Sequence, residues 1–154
     1  MIKILFVCYG NICRSPMAEF VMKNKVEAVG LADKIYVESA ATSTDQIGEP
    51  VYPNTREILA RHGIECVGKT ARQMTRADYD KFDYLIGMDS QNIRNMHKIV
   101  GKDPENKIRL LLDFTDKPGD IDDPWYHRDF DATYELVDKG CEKALEAIRK
   151  TLDD

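Results

Sequence analysis

The chain has 154 residues, 43% hydrophobic and 32% charged, with a formal net charge of −5. That balance is ordinary for one soluble globular domain with a substantial core, and its acidic sign argues against an electrostatic nucleic-acid binder. Its apolar stretches are too short to span a bilayer, its first residues lack the apolar core and cleavage site of a signal peptide, and 4 cysteines make no disulfide framework; a reducing cytoplasm is the expected setting.

Ile2 to Cys8 reads as a first strand, because Ile4-Leu5-Phe6-Val7 is β-branched and aromatic and of strand length. Pro16 to Val29 reads as the first helix. Pro16 suits a first turn, Ala18, Val21, Met22 and Val29 recur at helical spacing, and Gly30 ends the pattern. Lys34 to Ser39 is a second strand, and Asn54 to His62 a helix after Pro53, closed by Gly63. Phe82 to Met88 is a third strand, followed by a helix capped by Asp89 or Ser90 that runs to about Val100; Ile108 to Leu112 is a fourth strand. Tyr134, Val137, Cys141, Ala144, Ile148 and Leu152 then form one apolar stripe, the mark of a long amphipathic helix. This alternation predicts a single α/β domain over residues 1–154, a parallel sheet with helices on both faces, without repeat or linker. Ligands of such sheets sit beyond the carboxyl ends of strands, where Cys8 lies.

The segment Cys8-Tyr9-Gly10-Asn11-Ile12-Cys13-Arg14-Ser15 therefore joins a buried strand to a helix start. Successive backbone N–H groups in such a loop, backed by a helix N-terminus, form a nest for phosphate oxygens, and the same field favours a negative sulfur. Arg14 supplies a planar fork that binds two phosphoryl oxygens at once, and the Ser15 hydroxyl is placed to hydrogen-bond the sulfur as a leaving group. Gly10 and Asn11 are types that tolerate the left-handed backbone that converging amides need. A Cys six positions before an Arg is a weak signal by itself, and a lone Cys at a strand end is commonly a small core hydrophobe. The strand before it and the helix after it favour the catalytic reading. Cys13 has two readings, a reversible disulfide partner that protects Cys8 from over-oxidation or a buried thiol packing the first helical turn. Cys66 and Cys141 read as structural. No Cys-x-x-Cys pair or clustered His supplies a zinc site, and no metal or cofactor is expected.

A thiolate that attacks phosphorus needs an acid for the departing oxygen. Gly119-Asp120-Ile121-Asp122-Asp123-Pro124-Trp125-Tyr126-His127 offers several carboxylates. Asp123 is preferred, since Pro124 holds its backbone extended and its aromatic neighbours lower the local dielectric. His127 is the lesser candidate. The spacing lacks the glycine and terminal glutamate of a calcium loop.

With these residues in order, the chain resembles the low-molecular-weight protein tyrosine phosphatases. The likeness starts at Cys8 to Ser15 with Pro16-Met17-Ala18-Glu19. It continues through Glu38-Ser39-Ala40-Ala41-Thr42-Ser43, Ile47-Gly48, Arg61-His62-Gly63-Ile64, Ala71-Arg72-Gln73, Phe82-Asp83-Tyr84 and Met88-Asp89 to Asp123-Pro124. The resemblance implies a four-stranded parallel sheet with a phosphate-binding loop after the first strand, and metal-free hydrolysis of phosphotyrosine through a phosphocysteine. Cys8 would be the nucleophile, Arg14 the phosphate clamp, and Asp123 the acid and then the base for water. Tyr9, Gly10, Asn11, Ile12, Cys13 and Ser15 would complete the phosphate loop, supported through Asn11 and Ser39. Tyr9, Trp125 and Tyr126 would wall a slot for the substrate ring. Asp45 stands where many members carry an aromatic residue, making that wall open or acidic. Lys69 stands where the family often carries His, which leaves a loop-supporting hydrogen bond without its usual donor.

Implied partners are phosphotyrosine-containing proteins and a cognate tyrosine kinase, with a monomer or weak dimer and no nucleic acid or membrane. Two relatives on the same scaffold are the alternatives. Protein-arginine phosphatases resemble the chain but typically have Thr where Ile12 stands. Arsenate reductases use a downstream cysteine pair, whereas no Cys lies between Cys66 and Cys141. A non-catalytic phosphotyrosine-binding module is disfavoured by the presence of both Cys8 and Asp123.

Overall fold

A computed structural model describes residues 1–152. Strands β1 (Ile2–Cys8), β2 (Ile35–Ala41), β3 (Tyr84–Gly87) and β4 (Ile108–Leu110) form a sheet in the order β2-β1-β3-β4, every neighbouring pair parallel. The helices are α1 (Arg14–Ala28), α2 (Pro53–Arg61), α3 (Ala77–Lys81), α4 (Ser90–Val100), α5 (Pro124–His127) and α6 (Phe130–Leu152).

The uninterrupted apolar run of β1 follows from its place inside the sheet. Ile4 and Phe6 pack with Val21 and Met22 of α1 and Val137 and Ile148 of α6. Leu5 and Val7 point to the other face, with Phe82, Leu85, and Met96 and Val100 of α4. Ile4, Leu5, Phe6 and Val7 are all fully buried, each side chain contributing about 1.5–3 kcal/mol of burial. The α6 backbone comes close enough that a Cβ at Gly140 would meet Leu111 Cγ at 2.5 Å, so this helix position needs glycine. The chain leaves β1 for β2 on one side and later returns to β3 on the other. A crevice therefore opens at the carboxyl end of β1, beside Cys8.

Several boundaries differ from the sequence expectation. Helix α1 begins at Arg14, so Pro16 stands third in its first turn, where a missing N–H is still free of cost. β2 runs on to Ala41 because its register with β1 continues to Cys8 opposite Ala41. β3 is confined to four residues, since Met88 N turns away to donate to Asn92 Oδ1 at the start of α4. β4 stops at Leu110, and Leu111–Phe114 form a 3-10 turn closed by Leu110 N donating to Asp113 Oδ2 at 3.1 Å. A short apolar run cannot tell a buried strand from a buried turn by periodicity alone. The short helices α3 and α5 were outside the expectation. Thr75-Arg76-Ala77-Asp78 carries a cap signal for α3, and Asp78 Oδ2 accepts from Thr75 N at 2.8 Å. Of the α6 stripe, Tyr134, Val137, Cys141, Ala144 and Ile148 are buried while Leu152 is exposed. Among the described residues no helix is long and apolar enough to cross a membrane.

Candidate active site

The phosphate-loop segment is assembled around one sulfur. Cys8 Sγ, buried at the end of β1, accepts from Asn11 N at 3.3 Å and Ser15 N at 3.4 Å and lies 2.9 Å from Ser15 Oγ. Asn11 takes the left-handed backbone at φ 59. Its Oδ1 accepts from Arg72 N at 3.2 Å, which fixes the amide orientation and leaves Nδ2 to donate to Ser15 Oγ at 2.8 Å and Ser39 Oγ at 2.9 Å. Ser39 Oγ in turn donates to buried Glu19 Oε1 at 2.6 Å. With its oxygen already accepting from Asn11, Ser15 has one proton to give. The sulfur at 2.9 Å is a far better acceptor than Ala40 O at 3.5 Å. Two backbone amides and a hydroxyl thus converge on the sulfur, an arrangement that stabilises negative charge there.

Gly10 is not the left-handed residue of this loop, contrary to the sequence expectation; the non-glycine left-handed position is Asn11. A Cβ at position 10 would come within 3.3 Å of Gln46 Cγ, a tight contact that the Gln46 side chain would have to yield to by a few tenths of an ångström.

Arg14 is buried and half committed. Its Nη1 donates to Asp89 Oδ2 at 2.6 Å and to the Ile121 carbonyl at 2.8 Å. Its Nη2 lies 3.6 Å from Asp123 Oδ2, and its Nε has no hydrogen-bond partner. A buried unpaired donor on a charged group costs about 1–3 kcal/mol, so the Nε edge of the fork is built for a ligand. Burial works against the guanidinium charge, but the Cys8 sulfur and Asp89 outweigh it and hold the Arg14 pKa above its ordinary value.

Asp123 caps α5, its Oδ1 accepting from Trp125 N at 3.0 Å while Oδ2 is turned towards Arg14. Cys8, Tyr9, Gly10, Ile12, Cys13, Arg14, Asp45, Asp123, Trp125 and Tyr126 all line one cleft, joined by Gln46. Asn11, Ser15 and Ser39 are buried behind it. Tyr9 OH donates to Asp45 Oδ2 at 2.6 Å, and that hydrogen bond to a carboxylate raises the phenol pKa. The Asp45 wall is therefore acidic and tied to Tyr9 rather than simply open. His127 does not line the cleft; its Nδ1 accepts from Asp129 N at 2.9 Å.

Lys69 supplies the support that its identity called into question. Its Nζ donates to the Ser39 carbonyl at 2.8 Å and stands 3.7 Å from Glu19 Oε1. Burial lowers its pKa, and the Glu19 carboxylate works the other way. Cys13 is also buried, and its pKa is pushed up to about 12, first by that burial and then by the neighbouring Cys8 charge. Cys8, Cys13, Cys66 and Cys141 are free thiols.

Sequence reasoning missed Asp89, which serves α4 and the fork together, with Oδ1 accepting from Asn92 N and Oδ2 holding Arg14. A capping aspartate was legible; its second partner was not. The Ile121 carbonyl carries no side-chain signal at all. Glu19, Gln46 and Tyr52 were likewise passed over. Among the described residues no group of three or more His, Cys, Asp or Glu side chains gathers as a metal site.

A cysteine sulfur under converging amides, at the head of a parallel α/β sheet and facing a half-free arginine, is the hallmark of an oxyanion-handling thiol protein. Comparison with known proteins narrows that class. The chain belongs to the family described as low molecular weight phosphotyrosine protein phosphatase, whose model matches residues 3–153. The low molecular weight protein-tyrosine-phosphatase YfkJ of Bacillus subtilis is 41% identical over 152 residues, covering 97% of each chain. The YfkJ crystal structure superposes with a TM-score of 0.95 over 98% of this chain and 96% of that one. SP-PTP of Streptococcus pyogenes, a low molecular weight protein tyrosine phosphatase, is 41% identical with a TM-score of 0.86, covering 99% and 98%. A Drosophila arginine phosphatase is 30% identical with a TM-score of 0.85, covering 96% and 98%.

Proposed function

We propose that the chain is a protein tyrosine phosphatase that hydrolyses phosphotyrosine through a phosphocysteine intermediate. The observation that carries this reading is the free Nε edge of buried Arg14 beside a sulfur already held by two amides and a hydroxyl. In the first step the Cys8 thiolate attacks phosphorus in line with the departing tyrosyl oxygen. Arg14 Nε and Nη2 bind two equatorial oxygens, and the loop amides take the remaining charge. Asp123, protonated, gives its proton to the tyrosyl oxygen as the P–O bond breaks. In the second step Asp123 takes a proton from water, whose oxygen attacks phosphorus. The S–P bond then breaks, releasing phosphate and a thiolate stabilised by the Ser15 hydroxyl.

Tyr9, Trp125 and Tyr126 are read as the walls of the ring slot, where stacking is worth about 1 kcal/mol per pair beyond area burial. Cys13 is read as a buried thiol in the reduced protein and a disulfide partner once Cys8 is oxidised. Peroxide turns the Cys8 thiolate into a neutral sulfenic acid, removing the charge that is the second cause of the raised Cys13 pKa. Attack by Cys13 then yields the disulfide and water. A single catalytic domain over residues 1–154, acting in the cytoplasm as a monomer or weak dimer on proteins phosphorylated by a tyrosine kinase, completes the proposal.

The arginine phosphatase likeness is the specific competitor, and Ile12 in the loop weighs against it. Turnover of a phosphotyrosine peptide and of phosphoarginine by one preparation separates them, with Cys8→Ser as control. Hydrolysis of phosphotyrosine and no turnover by Cys8→Ser are expected; preference for phosphoarginine would overturn the substrate assignment.

A further inference from the structure

Arg128 is exposed, lies outside the cleft lining, and adopts a left-handed backbone at φ 64. It turns the chain from α5 into α6: its N–H donates to the Pro124 carbonyl at 2.8 Å, and Asp129 Oδ1 next accepts from Ala132 N at 3.0 Å. A non-glycine residue persists there only where its surroundings over-determine it. Those surroundings are aromatic. The guanidinium carbon lies 5.4 Å from the Tyr52 ring centroid, 5.9 Å from that of Trp125 and 5.4 Å from that of Phe130. Nη2 also donates to Tyr52 OH at 2.9 Å. Tyr52 meets Trp125 edge-on at 5.1 Å and stacks on Phe130 at 5.8 Å.

The far end of this cage reaches the phosphate loop. Tyr52 N donates to the Ile12 carbonyl at 2.9 Å, so the residue whose ring Arg128 grips is anchored through its backbone to the loop around Cys8. The near end is the single turn that Asp123 caps through Trp125 N. A four-residue turn has little stability of its own and takes its orientation from what it packs on. We propose that Arg128, clamped by Tyr52, Trp125 and Phe130, is a positioning residue that holds Asp123 over the Cys8 loop, and so controls proton delivery to the leaving group. It rests on the assignment of Asp123 as the general acid. The planar fork suits the task, because it stacks on rings and donates along its edge at once, which an ammonium cannot do.

The test is Arg128→Gly, since glycine accepts the left-handed backbone without strain and the turn keeps its covalent path. kcat/KM is measured on phenyl phosphate, a poor leaving group, and on 4-nitrophenyl phosphate, an activated one, together with the inhibition constant for inorganic phosphate. The expected result is a loss of about tenfold on phenyl phosphate, a size matching several cation–π contacts. The activated substrate should change less than about twofold, and phosphate inhibition should not change, since leaving-group protonation matters little there. In an Asp123→Asn background the same substitution should cost nothing further, because its effect passes through Asp123. Equal losses on both substrates, no loss on either, or a full additional loss in the Asp123→Asn background would each overturn the positioning role. If Asp123→Asn alone shows no leaving-group dependence, it is the acid assignment that fails, and the role of Arg128 falls with it.

Discussion

The loop around Cys8 and the arm around Asp123 face each other across one cleft and are held by opposite means. The loop is buried at Cys8, Asn11, Cys13, Arg14 and Ser15 and bonded from behind. Asn11 alone ties Cys8, Ser15, Ser39 and Arg72 together, and Glu19 and Lys69 close the network behind it. Beyond Ile121, which is buried and bonded to the Met88 carbonyl and to Arg14, the arm is largely exposed and relies on one capping bond, one ion-pair approach to Arg14, and a cage of rings around Arg128. A group that must bind an oxyanion gains from rigidity, because donors fixed in advance need no reorganisation when charge arrives. A group that must give and then take a proton while leaving group and water exchange has to stay near solvent. The contrast teaches that damage to the loop should remove binding and chemistry together, whereas damage to the arm should remove proton transfer alone.

The largest separation is expected from the arm. Asp123→Asn keeps the capping oxygen but has no proton to transfer, and should lower kcat/KM on phenyl phosphate by about 10²–10⁴-fold. Inhibition by inorganic phosphate should stay near that of the parent protein; a matching loss of phosphate affinity would mean the two regions are not separable. Breaking the loop should look different. Asn11→Ala places a Cβ-bearing residue with no local hydrogen bond at φ 59 and strands Ser15, Ser39 and Arg72 N. It should destabilise the fold by about 2 kcal/mol in a denaturant titration. Activity should fall by similar factors on both aryl phosphates, and selective loss on the poor leaving group would contradict the division of labour. The smallest effect on turnover belongs to Cys13→Ser, which should leave activity within about twofold in reducing buffer. After peroxide treatment and thiol reduction the parent should recover and the variant should not; equal recovery would restrict Cys13 to packing.

Alkaline stability offers a check on the same thiol. Burial raises the Cys13 pKa from its ordinary value of 9.0 to about 12 on folding, so the folded chain holds its proton where the unfolded chain has lost it. The stabilisation is fully present below pH 9.0 and fades as pH climbs towards about 12.

The same contrast decides what could be read from the residues alone. The strand Ile4-Leu5-Phe6-Val7, the loop and the helix after it are contiguous, so local pattern is enough to bring Cys8 and Arg14 together, whereas it leaves the α4 cap open between Asp89 and Ser90 and the structure gives it to Asp89. The long α6 stripe was legible for the same reason, except at Leu152, where amphipathic spacing outlasts the surface it packs on. Features created by the sheet order were not legible. Asp89 reaches Arg14 only because β3 lies beside β1, and the Ile121 carbonyl meets it from a segment more than a hundred residues away. Residue type permits a left-handed backbone at both Gly10 and Asn11, and the fold gives it to Asn11 alone of the two. Lys69 showed that a lost histidine can be replaced by chemistry of another shape: its ammonium reaches the Ser39 carbonyl directly. Arg128 carried no motif, and only the meeting of α2, α5 and α6 places three rings around it.

In this mechanism phosphate passes through the Cys8 sulfur. Rapid acid quenching during turnover of a radiolabelled phosphotyrosine substrate, followed by peptide mapping, measures this directly. Label on the peptide containing Cys8, absent from Cys8→Ser and more persistent in Asp123→Asn, is the predicted result. Label on another residue, or a burst of free phosphate from Cys8→Ser, would contradict it.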